Sequence, residues 1–231
     1  MVARMRRFRM QFRLAGGDPV PAGWTFLVLN VAWYVLVESA TGRSATGLLR
    51  AGAMLPPLVQ QGQWFRILSA MFVHVSPLHI LVNMISLWTL FIVERLLTTP
   101  FFIVLYVISG AIGNLLSMPF LPNAVSGGAS GAIFGLFGAM LALALMGQFP
   151  PFVRNQLLIV LAVNVVIDIS NLGTIGWIAH LGGMISGALL TLIFVRYVRN
   201  RRFWIGVSVV CCIATAVSLI YALVTPLPFG L

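Results

Sequence analysis

Long apolar runs, broken by short polar or proline-containing stretches, dominate the sequence. A membrane-crossing helix needs about 20 predominantly apolar residues. Seven stretches qualify: Pro21 to about Ala40, Ser76-Pro77 to about Leu97, Pro100 to about Met118, Gly127 to about Leu145, Phe152 to about Ile169, about Ile175 to Tyr197, and Phe203 to about Val224. Several carry start or stop signals. Ser76-Pro77 reads as a serine N-cap followed by proline at the first helical position. Pro119 and Pro122 break the third run, and Pro150-Pro151 separate the fourth from the fifth. The pattern predicts an all-α polytopic helical bundle.

The connection from Thr41 to Val75 is different. It is richer in Gly, Pro and Gln, yet Leu48, Leu49, Met54, Leu55, Leu58, Trp64, Phe65 and Ile67 are scattered through it. Trp64 and Arg66 suit a membrane interface. The expectation is a partly embedded loop, about 41–75, with short helical pieces.

Composition agrees with a membrane protein: 60% of residues are hydrophobic and 8% charged, where a soluble domain carries about 25% charged residues. At 231 residues there is room for one bundle and no large soluble domain. The net charge of +10 comes from arginine alone, since there is no lysine. These arginines sit at the ends of apolar runs, which points to topology and not to nucleic acid. Cys211 and Cys212 are adjacent in one apolar run and form no disulfide framework.

The arginines also set an orientation. Arg4, Arg6, Arg7, Arg9, Arg13, Arg95, Arg154, Arg196, Arg199, Arg201 and Arg202 fall on one side of a seven-span path; Arg43, Arg50 and Arg66 fall on the other. Eleven against three places the N-terminus in the cytoplasm and the C-terminus outside. The expected organisation is a basic cytoplasmic tail (1–20), a six-helix core (21–197), and a basic loop with a seventh helix (198–231). The first span is read as uncleaved.

Counting spans then brings polar groups to one depth. His79 and Asn83, four residues apart, share a face of the second span, and His74 lies just before its cap. Ser130 heads the fourth span and His180 lies near the start of the sixth, so all five occupy the outer half. Gly128, Gly131 and their neighbours surround Ser130 where a loop becomes a helix, with unpaired N–H groups favouring negative charge. The same glycines, Gly127, Gly131 and Gly135, also read as a packing seam. Gly183 and Gly187 lie on the stripe of His180, so the two glycine stripes can pack and carry His180 to Ser130. That pairs a nucleophile with a general base. His79, Asn83 and the Ser130 N–H are candidate donors to an oxyanion. No carboxylate is placed beside any histidine; Asp168 is the one acid near that depth, so the reading is a dyad. Three histidines also raise zinc, but there is no His-Glu-x-x-His and no cysteine in the outer half, and no metal or other cofactor is expected. A proton-coupled transporter is the competing class, and it lacks carboxylates near the midplane.

These motifs together resemble the rhomboid intramembrane serine proteases. The matching elements are Gly128-Ala129-Ser130-Gly131; His74, His79 and Asn83; and Ala179-His180 with Gly183 and Gly187. Gln63-Trp64-Phe65-Arg66 is similar to the family's Trp-Arg motif, with Phe65 where tryptophan is usual. The resemblance covers about Pro21 to Tyr197, and the seventh span matches the six-plus-one variant. It implies a Ser130–His180 dyad, an oxyanion site including His79 and Asn83, and transmembrane protein substrates in the lipid bilayer. It also implies a multi-pass location, with a prokaryotic plasma membrane as the expected home. Phe134 stands where some members stack a tyrosine on the histidine. Glu94 resembles the acid ending the second helix, although Leu90 replaces an expected glycine. The fifth span, with Phe152, Leu157 and Leu161 on a lipid-compatible surface and the 168–173 turn above, is the expected movable wall. The alternative within the resemblance is a non-catalytic client-binding relative, which would lack the serine or the histidine.

Overall fold

A computed structural model describes residues 19–170, 176–196 and 200–228. Residues 1–18, 171–175, 197–199 and 229–231 lie outside the described residues, and with them the arginines of the expected basic tail, the 171–173 part of the expected turn, Tyr197 and Arg199. The described residues form helices joined by loops, with one isolated antiparallel bridge between Met54 and Ser126.

The first span is α1, Pro21–Thr41, whose stretch Trp33–Glu38 widens into a π-helix. The connection contains three short α-helices, α2, Ala45–Arg50; α3, Pro56–Gln60; and α4, Arg66–Ser69, the last continued by a 3-10 turn, Ala70–Phe72. The remaining long helices are α5, Pro77–Leu96; α6, Thr99–Ser117; α7, Ser130–Leu145; α8, Pro151–Ser170; α9, Trp177–Arg196; and α10, Arg201–Val224. Six of these helices are long and apolar enough to cross a membrane; α7, at 16 residues, is the shorter one. The expected start signal is in place: Ser76 Oγ accepts the His79 N–H at 3.1 Å, and Pro77 opens α5. Thr98 caps α6 and Asn200 caps α10 in the same way.

α7 is the centre of the bundle. Ala132, Leu136, Ala139 and Leu143 are inaccessible to solvent, and α6 contributes Phe101, Phe102, Leu105 and Tyr106 to the same core. Its axial contact with α9 is unusually close, because glycine faces backbone. A methyl group on Gly183 would run into the Gly131 carbonyl, and one on Gly187 into the Gly135 carbonyl. Gly138 meets the Met184 carbonyl in the same way. Gly127 does not belong to this seam: its nearest neighbours are Val73 and Ala70, in the connection before α5. The helix also starts three residues later than the apolar run. The Ser126 and Gly128 N–H groups are committed to the Met54 and Ala70 carbonyls, and Gly128 has φ +140°. That conformation suits glycine alone and ends any helix extending upstream.

Sixteen residues rise only about 24 Å, against a hydrocarbon thickness of about 30 Å. The segment before α7 therefore has to be supported by protein where it approaches the membrane interior, since unpaired backbone there is costly. The 41–75 connection supplies that support. Met54 and Ser126 exchange both N–H bonds at 2.8 and 2.9 Å, and Gly128 N–H reaches Ala70 O at 2.9 Å.

The connection is itself held by Arg66. The sequence suggested an interfacial arginine; instead its side chain is buried, 1% exposed. Nη1 donates to the Leu49 and Ala53 carbonyls, both at 2.7 Å, and Nε to Gln63 Oε1 at 2.6 Å. Burial draws its pKa down to about 10, which leaves it a cation at neutral pH. Trp64, by contrast, is 62% exposed, as an interface residue would be. Glu94 anchors the far end of α5 to α1 by accepting the Ala22 and Gly23 N–H groups at 3.1 and 2.8 Å. These are unpaired donors of the first turn of α1, where negative charge is favoured.

Removing the Arg66 guanidinium takes the side-chain donor from the Leu49 and Ala53 carbonyls, of which Leu49 O keeps only the Gly52 N–H at 3.2 Å. Arg66→Ala is expected to cost at least about 2 kcal/mol, seen as a lower thermal midpoint in detergent. Arg66→Lys should recover only part, since an ammonium lacks the planar fork that reaches three acceptors. An Arg66→Ala protein as stable as wild type would contradict this role.

Candidate active site

Ser130 is the first residue of α7 and is partly accessible. His180 lies in the first turn of α9. The glycine seam brings the two helices together, and Ser130 Oγ lies 2.9 Å from His180 Nε2. Phe134, one turn further along α7, lies flat on the imidazole, with ring centroids 4.3 Å apart and 10° between planes. The stacking expected of a tyrosine at this position is made by phenylalanine.

The opposite edge of the imidazole has a partner that the sequence reading set aside. His180 Nδ1 is 3.0 Å from Asp168 Oδ1 and 3.1 Å from Oδ2. The expectation that no carboxylate stands beside a histidine is therefore corrected. The acid sits at the end of α8 and the histidine at the start of α9. The two are 12 residues apart in sequence. A second carboxylate, Glu38 of α1, is buried and accepts the His74 N–H at 2.9 Å.

His79 and Asn83 lie one turn apart on α5, with their tips over Gly128. A methyl group on Gly128 would stand 2.7 Å from His79 Cε1, 2.9 Å from His79 Nε2 and 3.6 Å from Asn83 Nδ2. Gly128 is thus required twice, by its φ and by this approach. Asn83 is buried, and its Nδ2 has no hydrogen-bond partner among the described residues. A buried donor left unpaired costs about 1–3 kcal/mol. Its place over Gly128, two residues before Ser130, suits a group whose partner arrives with the substrate.

His74 supports this face from behind. It is fully buried, its ring meets His79 edge-on at 5.2 Å, and Nδ1 lies 3.2 Å from the Phe72 carbonyl. Burial first, and the adjacent His79 second, draw its pKa down to about 3, against the pull of the Phe72 carbonyl. His74 is therefore neutral at physiological pH, and its Nδ1–H donates to Phe72 O. It has no direct line to Ser130; it packs His79.

The structure thus gathers Ser130, His180, His79, Asn83 and Gly128 at one end of the bundle, with His74 behind them. Gly131, Gly135, Gly183 and Gly187 form the contact that allows this. The arrangement offers a hydroxyl bonded to a neutral-capable base, and unpaired donors facing the loop before it, as acyl transfer requires.

Fold and site together define an integral multi-pass membrane protein with a serine–histidine pair at one end of a helical bundle. Residues 61–197 match the family model for the Rhomboid domain, and the chain belongs to the rhomboid family. It is 32% identical over 170 residues to Rhomboid protease GluP of Bacillus subtilis (strain 168), a match covering 71% of this chain and 33% of that protein. It is 36% identical over 162 residues to RHOMBOID-like protein 1 of Arabidopsis thaliana, covering 66% and 40%. Rhomboid-like protease 1 of Toxoplasma gondii is 31% identical over 188 residues, covering 78% and 64%. The chain spans between a third and just under two thirds of the length of these relatives.

If Asn83 donates to a developing oxyanion, its loss should act on turnover. Asn83→Ala is expected to lower kcat by about 10²–10³-fold, with KM and thermal midpoint nearly unchanged. A role confined to helix packing would instead lower stability by about 0.6 kcal/mol and leave turnover at saturating substrate intact.

Proposed function

We propose that this protein is an intramembrane serine endopeptidase that cleaves membrane-anchored proteins at or just inside the outer leaflet. The observation that carries the reading is the 2.9 Å contact between Ser130 Oγ and His180 Nε2 at the head of a short central helix. Membership of the rhomboid family and the protease names of two relatives support it.

The chemistry follows from the geometry. His180 Nε2 takes the proton of the Ser130 hydroxyl as Oγ attacks the substrate carbonyl. The oxygen of the tetrahedral intermediate becomes anionic beside the Ser130 N–H, His79 and the unpaired Asn83 Nδ2. Collapse expels the amine, which receives the proton from Nε2, and leaves an acyl group on Ser130. Water, deprotonated by the same nitrogen, then releases the acid. Ser130 is partly accessible, so water reaches it without the core being opened.

Substrate enters from the side. No residue of α8 is buried, whereas its neighbour α7 is almost wholly enclosed. α8 is the wall whose displacement costs least packing, and a transmembrane segment replaces it against Ser130. In this reading residues 21–197 are the catalytic core, preceded by a basic cytoplasmic tail and followed by a basic loop and α10. The arginine asymmetry puts the N-terminus in the cytoplasm and the C-terminus outside, with the site at the outer end.

The test is cleavage of a transmembrane reporter by purified protein in liposomes. Ser130→Ala and His180→Ala should each abolish the product band while the protein stays folded. The double variant should be no worse than either single, because members of one catalytic unit are not additive. Robust cleavage by Ser130→Ala would remove this serine from the mechanism. A wild-type protein that binds the reporter without cutting it would point to a client-binding relative.

A further inference from the structure

We propose that Asp168 is the positioning residue for His180, so that the base of this protein is held by a carboxylate on the most exposed helix of the bundle. The inference rests on the protease reading above and goes beyond a serine–histidine dyad.

Four acids occur in the whole sequence: Asp18, Glu38, Glu94 and Asp168. Glu38 is committed to the His74 N–H, and Glu94 to the first turn of α1. Among the described residues Asp168 is the acid that faces the site, and both of its oxygens lie within 3.1 Å of His180 Nδ1. The pair is largely withdrawn from solvent, with side-chain exposures of 16% for Asp168 and 12% for His180. A contact so sheltered is screened less than a surface ion pair.

The geometry divides the work of orienting the ring. Stacking on Phe134 fixes the plane of the imidazole but leaves it free to turn within that plane. Asp168 removes that freedom by accepting the Nδ1–H. The proton is then on Nδ1, Nε2 presents its lone pair to the Ser130 hydroxyl, and the ring is in the tautomer a general base needs. When Nε2 takes the serine proton the ring becomes a cation, and the carboxylate beside it stabilises that charge. The proton on Nδ1 stays on the ring throughout.

The carboxylate is carried by α8, none of whose residues is buried. Seating of α8 and orientation of the base are therefore linked by this one contact.

The experiment uses the full chain in detergent micelles and compares wild type with Asp168→Asn, Asp168→Ala and Asp168→Glu. Three quantities are read: the rate of Ser130 modification by a fluorophosphonate, kcat and KM for a transmembrane reporter, and the His180 tautomer by 15N NMR of histidine-labelled protein. Loss of a general base costs about 10²–10⁴-fold, and loss of its orienting partner should cost less. Asp168→Asn and Asp168→Ala should lower labelling and kcat by about 10- to 100-fold, with KM and thermal midpoint close to wild type. Asp168→Glu should recover part of the rate. In wild type the His180 proton should sit on Nδ1; in Asp168→Asn the tautomers should mix. Wild-type labelling and kcat in both Asp168→Asn and Asp168→Ala would overturn the inference. So would a wild-type His180 protonated on Nε2, a result available even if one variant fails to fold. Failure of the protease reading looks different: wild type would then show neither a Ser130 adduct nor cleavage, while the NMR signal would still decide whether Asp168 orients the ring.

Discussion

The close approach of α7 to α9 is the contact on which the site depends. Glycine at 183 and 187 lets α9 rest on the Gly131 and Gly135 carbonyls of α7, and glycine at 138 admits the Met184 carbonyl, with no side chain between. In lipid no hydrophobic force drives helices together, so van der Waals packing of this kind carries the association. Ser130 and His180 head the two helices, so the separation of the helix axes sets the separation of the reacting atoms. A side chain at Gly183 would push against the Gly131 carbonyl, one residue from Ser130. The serine–histidine distance of 2.9 Å is thus a property of the seam as much as of the two residues.

The rest of the molecule adjusts to the shortness of α7. A central helix of 16 residues leaves irregular backbone before Ser130, where donors and acceptors have to be met by protein. The 41–75 connection meets them through Met54 and Ala70, and Arg66 ties that connection from within. α5 adds His79 and Asn83 over Gly128 from the other side. Around this braced region α8 stands apart, its surface left to the surroundings. The result is a closely braced end beside a lightly packed wall. That contrast suits the proposed sideways entry of substrate without disturbance of Ser130 and His180.

Much of this was legible in the sequence, for reasons that can be named. Apolar runs of about 20 residues identify spans by length alone, and the Ser76-Pro77 start and the i, i+4 relation of His79 to Asn83 follow from helix geometry. The glycine stripes pointed to the contact between the fourth and sixth spans. What escaped depends on side-chain direction across turns. Asp168 is visible as an acid near the right depth, but its pairing with His180 depends on side-chain direction at the ends of two helices, which no spacing announces. Arg66 looked interfacial, because a desolvated guanidinium and an exposed one are identical letters until the carbonyls of Leu49 and Ala53 are in place. Gly127 shared the four-residue spacing of the seam, yet the turn at Gly128 removes it from the helix. Glu38 went unremarked inside an apolar run, and its partner is a backbone N–H that no spacing announces.

The central claim is that backbone contact between α7 and α9 makes Ser130 reactive. Mass-spectrometric mapping of the fluorophosphonate adduct, in wild type and in Gly183→Val, tests it directly, with helix content followed by circular dichroism. The account predicts an adduct on Ser130 in wild type. It predicts loss of that adduct in Gly183→Val at unchanged helix content, although Ser130 and His180 are both still present. A Gly183→Val protein that labels at the wild-type rate, or a wild-type adduct on a different residue, would contradict it.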